Sequence, residues 1–570
     1  MRILLEFMVA LPVLAPVLSA GVNDIVPSDV VTPAPGPVSL ACPPNILVIL
    51  MDDVGPDQLV SFDPAHGVAG MDPGENLYVG NYPYAPTPNI TALARDGVRF
   101  TRAFTTPLCS PSRASLMTGR YSMRNYIGGI CTPNGKGNVP PFDPQEPQLP
   151  RTEIALPEML GLFAPSVSNG LFGKWHLTAD KCRVPPCVIP DIDGDDHPAK
   201  AGWTEYAGLI RNIGGAPNPV TEGCMIGRAN YFDWFRVHNE LAPPPYTPCP
   251  SSPPGLCLPP STCSLREYNQ DYVTSNERQA VQDFALTATE PWLAIWASQA
   301  CHGPLDWPPQ DLHSYGNEPF DLLSSEHWLR YLAILEAFDT EVGKLKTALD
   351  QGQGKTLWDR TMVILIGDNG TDNNAMLDAH NRFPGILDDY VAPVNVKGTS
   401  SRFKGTPYVS GTSMACIISG ARVANPGRIS SGLVDMVDIF STIRDTFGAP
   451  DDWTSQMGLD GRPIDGVSLM PVIKDIGGTG RISSFALQYS PNGPFAFTPP
   501  LARWRIGYAE QLPNGEIYHL VQKKDEMDEF YQLCDSAGNN VDTAEKFPLP
   551  LSHPAYQGMV DNATALAESQ

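Results

Sequence analysis

Three uninterrupted apolar runs, each ending on polar side chains, organise the chain. Ile46 to Met51 in "NILVILMDDVG" is followed at once by Asp52 and Asp53. The run "PWLAIWASQACHGP" reaches His302, and "TMVILIGDNG", Thr361 to Gly370, carries Asp368 and Asn369. Apolar runs without alternation mark strands buried on both faces, as in a parallel sheet. Between the last two, "SSEHWLRYLAILEAFDTEVGKLKTALDQGQG" has apolar residues at helical spacing and stops at glycines. Strands alternating with helices predict an α/β core, whose ligands gather beyond the carboxyl ends of the strands. Asp52, Asp53, His302, Asp368 and Asn369 all fall there. After about residue 480 the segments shorten to "SSFALQYS", "LARWRIGYAEQL" and "EIYHLVQ", with turns such as Pro513-Asn514-Gly515. These predict a small C-terminal antiparallel sheet. The domain expectation is a core over 44–475 and a smaller unit over 476–570.

The amino terminus changes the compartment. Met1-Arg2, an apolar stretch from Ile3 to Leu18 and the small pair Ser19-Ala20 read as a cleavable secretory signal over 1–20. Residues 21–43 then form an N-terminal arm, and no later run is long enough for a membrane span. A soluble exported protein is expected: extracellular, lysosome-like or periplasmic. Asn89 and Asn562 head N-x-T sequons for glycosylation. Twelve cysteines in an exported chain imply disulfides. Cys182, Cys187, Cys224, Cys249, Cys257 and Cys263 fall in a Pro-rich stretch, read as a bridged insertion over 182–263. A net charge of −24 argues against nucleic acid and requires a local positive site for any anionic substrate.

Four oxygen donors, Asp52, Asp53, Asp368 and Asn369, at two strand ends suit a hard cation such as Ca²⁺ or Mg²⁺ better than zinc. Either pair alone is more simply a solvated loop or a helix cap. In "TTPLCSPSRASLMTGRY", Pro111 predicts a helix over about 111–117, with Cys109 just before its positive end and Arg113 within reach of the same spot. A bare thiol there would have a lowered pKa and oxidise easily. The plainer alternative is a disulfide. Lys174 and His176 in "GKWHL" share one side of an extended segment, and Lys404 lies in "RFKGTPY". Singly, each is an ordinary Lys or His.

The combination resembles the formylglycine-dependent sulfatases. Pro107 to Arg113, continuing through Leu116-Met117-Thr118-Gly119, is similar without mismatch to their signature. "NILVILMDDVG", "GKWHL", "WLAIWASQACHGPL", "YLAILEAFDTEVGKL", "VILIGDNG", "FKGTPY", "DGVSLMPVI" and "DEFYQL" follow in the family's order, covering about residues 44–535. The resemblance implies an alkaline-phosphatase-like fold, a large mixed and mostly parallel sheet between helices. It implies that Cys109 is the precursor of Cα-formylglycine, made by a maturation enzyme. One hydroxyl of the hydrated aldehyde attacks a sulfate ester's sulfur and the other then collapses to release sulfate. Asp52, Asp53, Asp368, Asn369 and residue 109 would hold Ca²⁺. Arg113 and Lys174 would stabilise the diol, His176 would take the proton that triggers collapse, and His302 and Lys404 would bind sulfate and protonate the leaving oxygen. Aryl sulfates are the expected substrates, because Pro- and aromatic-rich loops suit an apolar cleft.

The chain departs from the family at "SVSNGLFGKW" and at Val409-Ser410-Gly411, where a Gly-Tyr-x-Thr run and Glu-Gly-Gly are usual. A phosphonate- or phosphate-ester hydrolase of the same superfamily is the alternative, although Cys109 and Asp368-Asn369 favour the sulfatase arrangement. "GTSMA" and "AHGVAG" mimic subtilisin-like motifs around Ser413 and His66, yet the proline expected after the serine is missing. A non-catalytic relative would have lost one of these polar residues, and this chain keeps them all.

Overall fold

The computed structural model describes residues 43–568 apart from 60, 62–77, 80–81, 132–147, 179–192, 214–229, 233, 242–261, 317–326, 352–353, 383–401, 458–461, 491–502, 524–526 and 538–547. The proposed signal and nearly all of the arm lie outside the described residues.

The three apolar runs form neighbouring strands. β1 (Asn45–Met51), β7 (Trp292–Ala297) and β8 (Thr361–Gly367) are wholly buried. They belong to a 10-stranded sheet. Its other members are β2 (Gly97–Phe100), β3 (Ser168–Lys174), β4 (Glu205–Leu209), β5 (Trp234–Leu241), β6 (Thr262–Asn269), β9 (Cys416–Gly420) and β10 (Arg428–Ser430). The order is β10-β2-β9-β8-β1-β7-β3-β4-β5-β6, and the central run from β8 to β4 is parallel. Antiparallel pairs flank it, β8 with β9 on one side and β4 with β5 on the other.

Both faces are apolar because successive side chains of a strand point to opposite sides. Leu47, Ile49 and Met51 of β1 pack with one core, and Ile46, Val48 and Leu50 with the other. The first core is covered by α1 (Pro88–Arg95), α3 (Val273–Thr287) and α4 (His327–Leu349). The second lies under α2 (Cys109–Thr118) and α5 (Met436–Thr446). The result is a three-layer α/β/α sandwich. No helix among the described residues is long and apolar enough to cross a membrane.

The C-terminal segments form a four-stranded antiparallel meander, β11 (Ser483–Ser490), β12 (Arg503–Gln511), β13 (Ile517–Lys523) and β14 (Glu529–Cys534). α6 (Pro554–Glu568) covers one face through Met559, Val560 and Ala563. The other face packs on Phe104, Leu433, Tyr408 and Val409 of the larger unit.

Several expectations need correction. The stretch 182–263 is not only loop, for β4, β5 and the start of β6 lie in it and extend the main sheet. Residues 242–261, between β5 and β6, and the side chains of all six cysteines of the stretch fall outside the description. Cys109, Cys131, Cys301, Cys416 and Cys534 are buried thiols outside any disulfide. Burial pushes the Cys131 thiol up to about 12. At Asn89 the side-chain amide donates to the Asp339 carbonyl at 3.0 Å and carboxylate at 2.8 Å. Both amide hydrogens are thereby used within the fold. Asn562 is exposed, but its amide donates to Glu510 at 2.9 Å.

Candidate active site

Parallel register brings the polar strand ends together. Met51 pairs with Gly367, Leu50 with Ala297, Ala297 with Gly173, and Lys174 with Leu209. Hence Asp52, Asp53, Asp368, Asn369, the loop to His302, and Lys174 emerge side by side. Gly173 makes the packing possible: its φ is +105°, and a Cβ there would lie 2.1 Å from the Ala297 carbonyl oxygen.

α2 points its amino end into the same region. The helix begins at Cys109 itself, not at Pro111, because Leu108 is extended and supplies the cap. Ser112 Oγ accepts from Thr105 Oγ1 at 2.8 Å and donates to the Thr106 carbonyl at 3.0 Å, which pins the preceding turn. Ser110 Oγ donates to the His176 carbonyl at 2.8 Å and accepts from Cys131 N at 3.1 Å.

Carboxylates and cations pair throughout the site. Lys174 Nζ is 2.6 Å from Asp52 Oδ2. Arg113 grips Asp368 Oδ2 through Nε at 3.1 Å and Nη2 at 2.9 Å, donates Nη1 to the Lys174 carbonyl at 2.6 Å, and stands 3.7 Å from Asp52. Lys404 donates to both oxygens of Asp53, with Oδ2 at 2.6 Å. Cys109 Sγ lies 3.7 Å from Asp52 Oδ1, and His302 Nε2 lies 4.0 Å from Asp53 Oδ2. His302 Nδ1 donates to the Gly303 carbonyl at 2.6 Å, so Nε2 is the nitrogen turned to the carboxylates. Asp53 and His176 both adopt left-handed backbone, φ 63° and 58°, strain of the kind that collects at functional sites.

The charges answer one another. Burial alone would raise Asp52, but Lys174, His302 and Arg113 hold it below the ordinary carboxylate value. Asp53 is likewise raised by burial and pulled below by Lys404 and His302. Asp368 stays raised, through burial and the charge of Asp52, against Arg113. Burial would lower Lys404, and Asp53 together with Cys109, Asp52 and Asp368 more than reverses that. His176 is held far below its usual value by burial and by Lys174, Arg113 and Arg211, so its imidazole is neutral. His302 is lowered too, by burial and by Lys404. The Cys109 thiol corrects the sequence expectation. It is completely buried and pushed up to about 12 by that burial, which outweighs Lys174 and Lys404. A helix end and nearby cations do not make a thiolate where water cannot reach.

Asp52, Asp53, Cys109 and His302 bring possible ligand atoms within 4.8 Å of one another. Asp368 and Asn369 join through Asp53, whose N–H donates to Asp368 Oδ1 at 3.3 Å and whose Oδ1 accepts from Asn369 Nδ2 at 2.8 Å. Asn369 Oδ1 is buried without a partner. An orphaned carboxamide oxygen among three carboxylates fits a hard divalent cation. Every site residue expected from sequence is therefore in this one region. Sequence reasoning missed Arg211, just beyond β4, because the strand was hidden inside what read as insertion. It also missed Glu277 of α3, which accepts from Trp296 Nε1 at 3.3 Å beneath the site and is raised to about 8 by burial. Of the protease-like triad, His66 lies outside the described residues, and Asp52 is committed to Lys174 and Arg113.

An α/β/α sandwich with a buried ring of acids and bases at the carboxyl ends of its parallel strands is built as an α/β enzyme site. More specifically, the chain belongs to the sulfatase family of sulfuric ester hydrolases, whose family model matches residues 44–449. It is 28% identical over 441 residues to N-acetylgalactosamine-6-sulfatase of Canis lupus familiaris, covering 76% of this chain and 66% of that protein, just under two thirds. It is 25% identical over 468 residues to human arylsulfatase A, covering 80% of this chain and 72% of that one. A solved sulfatase from Pseudoalteromonas sp. superposes with a TM-score of 0.57 at 16% identity, covering 92% of this chain and 90% of that chain. At such identity the likeness is one of fold.

Proposed function

We propose that this chain hydrolyses sulfate monoesters with residue 109, matured to formylglycine, as nucleophile and with Ca²⁺ held by Asp52, Asp53, Asp368, Asn369 and residue 109. The observation that carries the reading is the orphaned Asn369 oxygen among three carboxylates, beside Cys109. Formylglycine hydrate supplies an oxygen nucleophile in place of a thiol, and calcium supplies positive charge at a sulfate oxygen.

The chain's own side chains do the rest. Asp52, Asp53 and Asp368 balance Arg113, Lys174 and Lys404 in formal charge, so a divalent cation makes the region positive enough for a monoanionic ester. Lys174 and Arg113 offer N–H groups to the hydroxyls of residue 109. Neutral His176, with an unpartnered buried Nδ1, takes a proton from that side chain. Protonated Lys404 binds a sulfate oxygen and gives its proton to the departing alcohol or phenol. His302 Nε2, which carries no hydrogen while Nδ1–H is spent on the Gly303 carbonyl, donates to sulfate only in the imidazolium form that the bound anion favours.

Peptide mass spectrometry over 103–113, bounded by Arg102 and Arg113, tests the nucleophile. A mass about 18 units below the cysteine form supports the aldehyde, and an unmodified thiol in active enzyme refutes it. Cys109→Ala should abolish turnover with little change in thermal stability.

For substrate, we infer an aryl sulfate from the Pro- and aromatic-rich loops. A 6-sulfated amino sugar is the second reading, favoured by similarity to the dog N-acetylgalactosamine-6-sulfatase. Turnover of 4-nitrophenyl sulfate against N-acetylgalactosamine 6-sulfate decides between them. Export, inferred from residues 1–20, would carry the chain past a maturation enzyme while 105–121 is still unfolded.

A further inference from the structure

Lys404 owes its position to two bodies of structure. On the side of the main sheet, Lys404 N donates to Thr371 O at 3.2 Å, Gly405 N to Pro107 O at 2.8 Å, and Asn373 Nδ2 to Lys404 O at 2.6 Å. On the other side stands the C-terminal sheet. Arg505 of β12 donates to the Gly405 carbonyl at 2.8 Å. Tyr408 donates its hydroxyl to Glu529 Oε1 at 2.8 Å and accepts from Lys523 Nζ at 2.7 Å, while Lys523 also reaches Glu529 at 2.9 Å. Tyr531 donates to the second Glu529 oxygen. The Arg402 guanidinium lies 4.7 Å and the Lys523 ammonium 4.8 Å from the centre of the Tyr408 ring. Gly507 completes the contact: a Cβ there would come within 2.5 Å of the Pro407 carbonyl oxygen. Backbone of β12 therefore touches backbone of 402–408 with no room for a methyl group.

We propose that the C-terminal sheet positions Lys404, with Glu529, Lys523 and Tyr408 acting through the segment 402–408 without touching substrate. This rests on Lys404 acting on the sulfate and the leaving oxygen. A lysine reaches its target on a long flexible stem, so the backbone beneath it must be held if the ammonium is to meet the leaving atom. The segment has no helix or strand before Val409–Thr412; its internal bonds are those of one turn, with Thr406 N donating to the Phe403 carbonyl at 3.2 Å, so its placement also draws on the contacts to either side. Glu529 and Lys523 lie beyond residue 449, where the sulfatase family match ends. In this chain the small unit thus completes the site of the large one.

The test is the leaving-group dependence of kcat/KM in Glu529→Gln, Gly507→Ala and Lys404→Ala, using full-length chain normalised to aldehyde content. Misplaced proton donation hurts poor leaving groups most, whereas a lower folded fraction hurts all substrates alike. The two sheet variants should lose about tenfold on phenyl sulfate but only about twofold on 4-nitrophenyl sulfate, in the direction of Lys404→Ala. Gly507→Ala alters no ionisable group, so it carries the test even if Glu529→Gln folds poorly. Equal losses on both esters, or none, in the sheet variants beside a steep dependence in Lys404→Ala would overturn the proposal alone. A flat dependence in Lys404→Ala would overturn the role given to Lys404, and the proposal with it.

Discussion

Acidification from pH 7 to 5 should cost this protein about 2 kcal/mol of stability through one histidine. His197 is buried at the start of the short helix His197–Lys200. Its Nδ1 accepts from Trp175 Nε1 at 2.9 Å, so Nε2 carries the proton and donates to the Leu149 carbonyl at 3.1 Å. Protonation would turn Nδ1 into a second donor facing the indole N–H. Burial is the main influence that lowers the imidazole from its ordinary 6.5 to about 4; Asp193 and the Leu149 carbonyl pull upward, and Lys200 and Arg151 push down. The folded value lies below the unfolded one. Stability from the neutral form is therefore complete above pH 6.5 and is lost as pH falls toward 4. Linkage over that gap gives about 3 kcal/mol in all, of which about 2 kcal/mol is gone by pH 5. Urea unfolding at pH 7 and pH 5 measures it against His197→Gln, whose amide oxygen and nitrogen replace both bonds without ionising. The loss on acidification should be about 2 kcal/mol smaller in the variant. An equal loss in both proteins would refute the assignment. Trp175 stands between Lys174 and His176, so the same bond also steadies the two neighbouring site residues.

Gly173→Ala, forced against the Ala297 carbonyl at positive φ, should lower stability by about 3 kcal/mol. Gly161→Ala, which meets nothing within 4 Å, should not lower the melting temperature. Removing the buried guanidinium in Arg113→Met leaves Asp52 and Asp368 short of a cation, and denaturant unfolding should register a loss of about 3–5 kcal/mol. Added CaCl₂ should raise the melting temperature of the parent protein, equivalent to about 2.7 kcal/mol at a hundredfold excess over Kd. EDTA should reverse the rise, and Asn369→Leu and Asp53→Asn should largely lose it; an undiminished rise in both variants would show that the ion binds elsewhere.

The strands that carry the site were readable because burial on both faces demands unbroken apolar runs. Ile46–Met51, Trp292–Ala297 and Thr361–Gly367 could be little else. Their polar successors followed from the rule that parallel strands leave ligands at their carboxyl ends. Lys174, His176 and Lys404 had no such pattern, and a motif series was needed to pick them out. The strand Glu205–Leu209 and the hairpin beyond it stayed hidden, because neighbouring cysteines and prolines dominated the reading of that stretch. The fate of the thiols was not legible either: pairing depends on distance and direction, which exist only in the fold, and Cys131, Cys301, Cys416 and Cys534 form no disulfide there.

Sequence by itself determined the α/β core, three of its main strands and the identity of the polar groups at their ends, because period and residue type are local properties. Tertiary structure decided what those groups do to one another. It seated Cys109 inside the helix and out of water, so that desolvation overrode the helix end and raised its pKa. It set Lys404 between Asp53 and a C-terminal sheet whose Glu529 lies more than a hundred residues further along the chain. Desolvation and Coulomb energy depend on distance and burial, and neither exists until the strands pack.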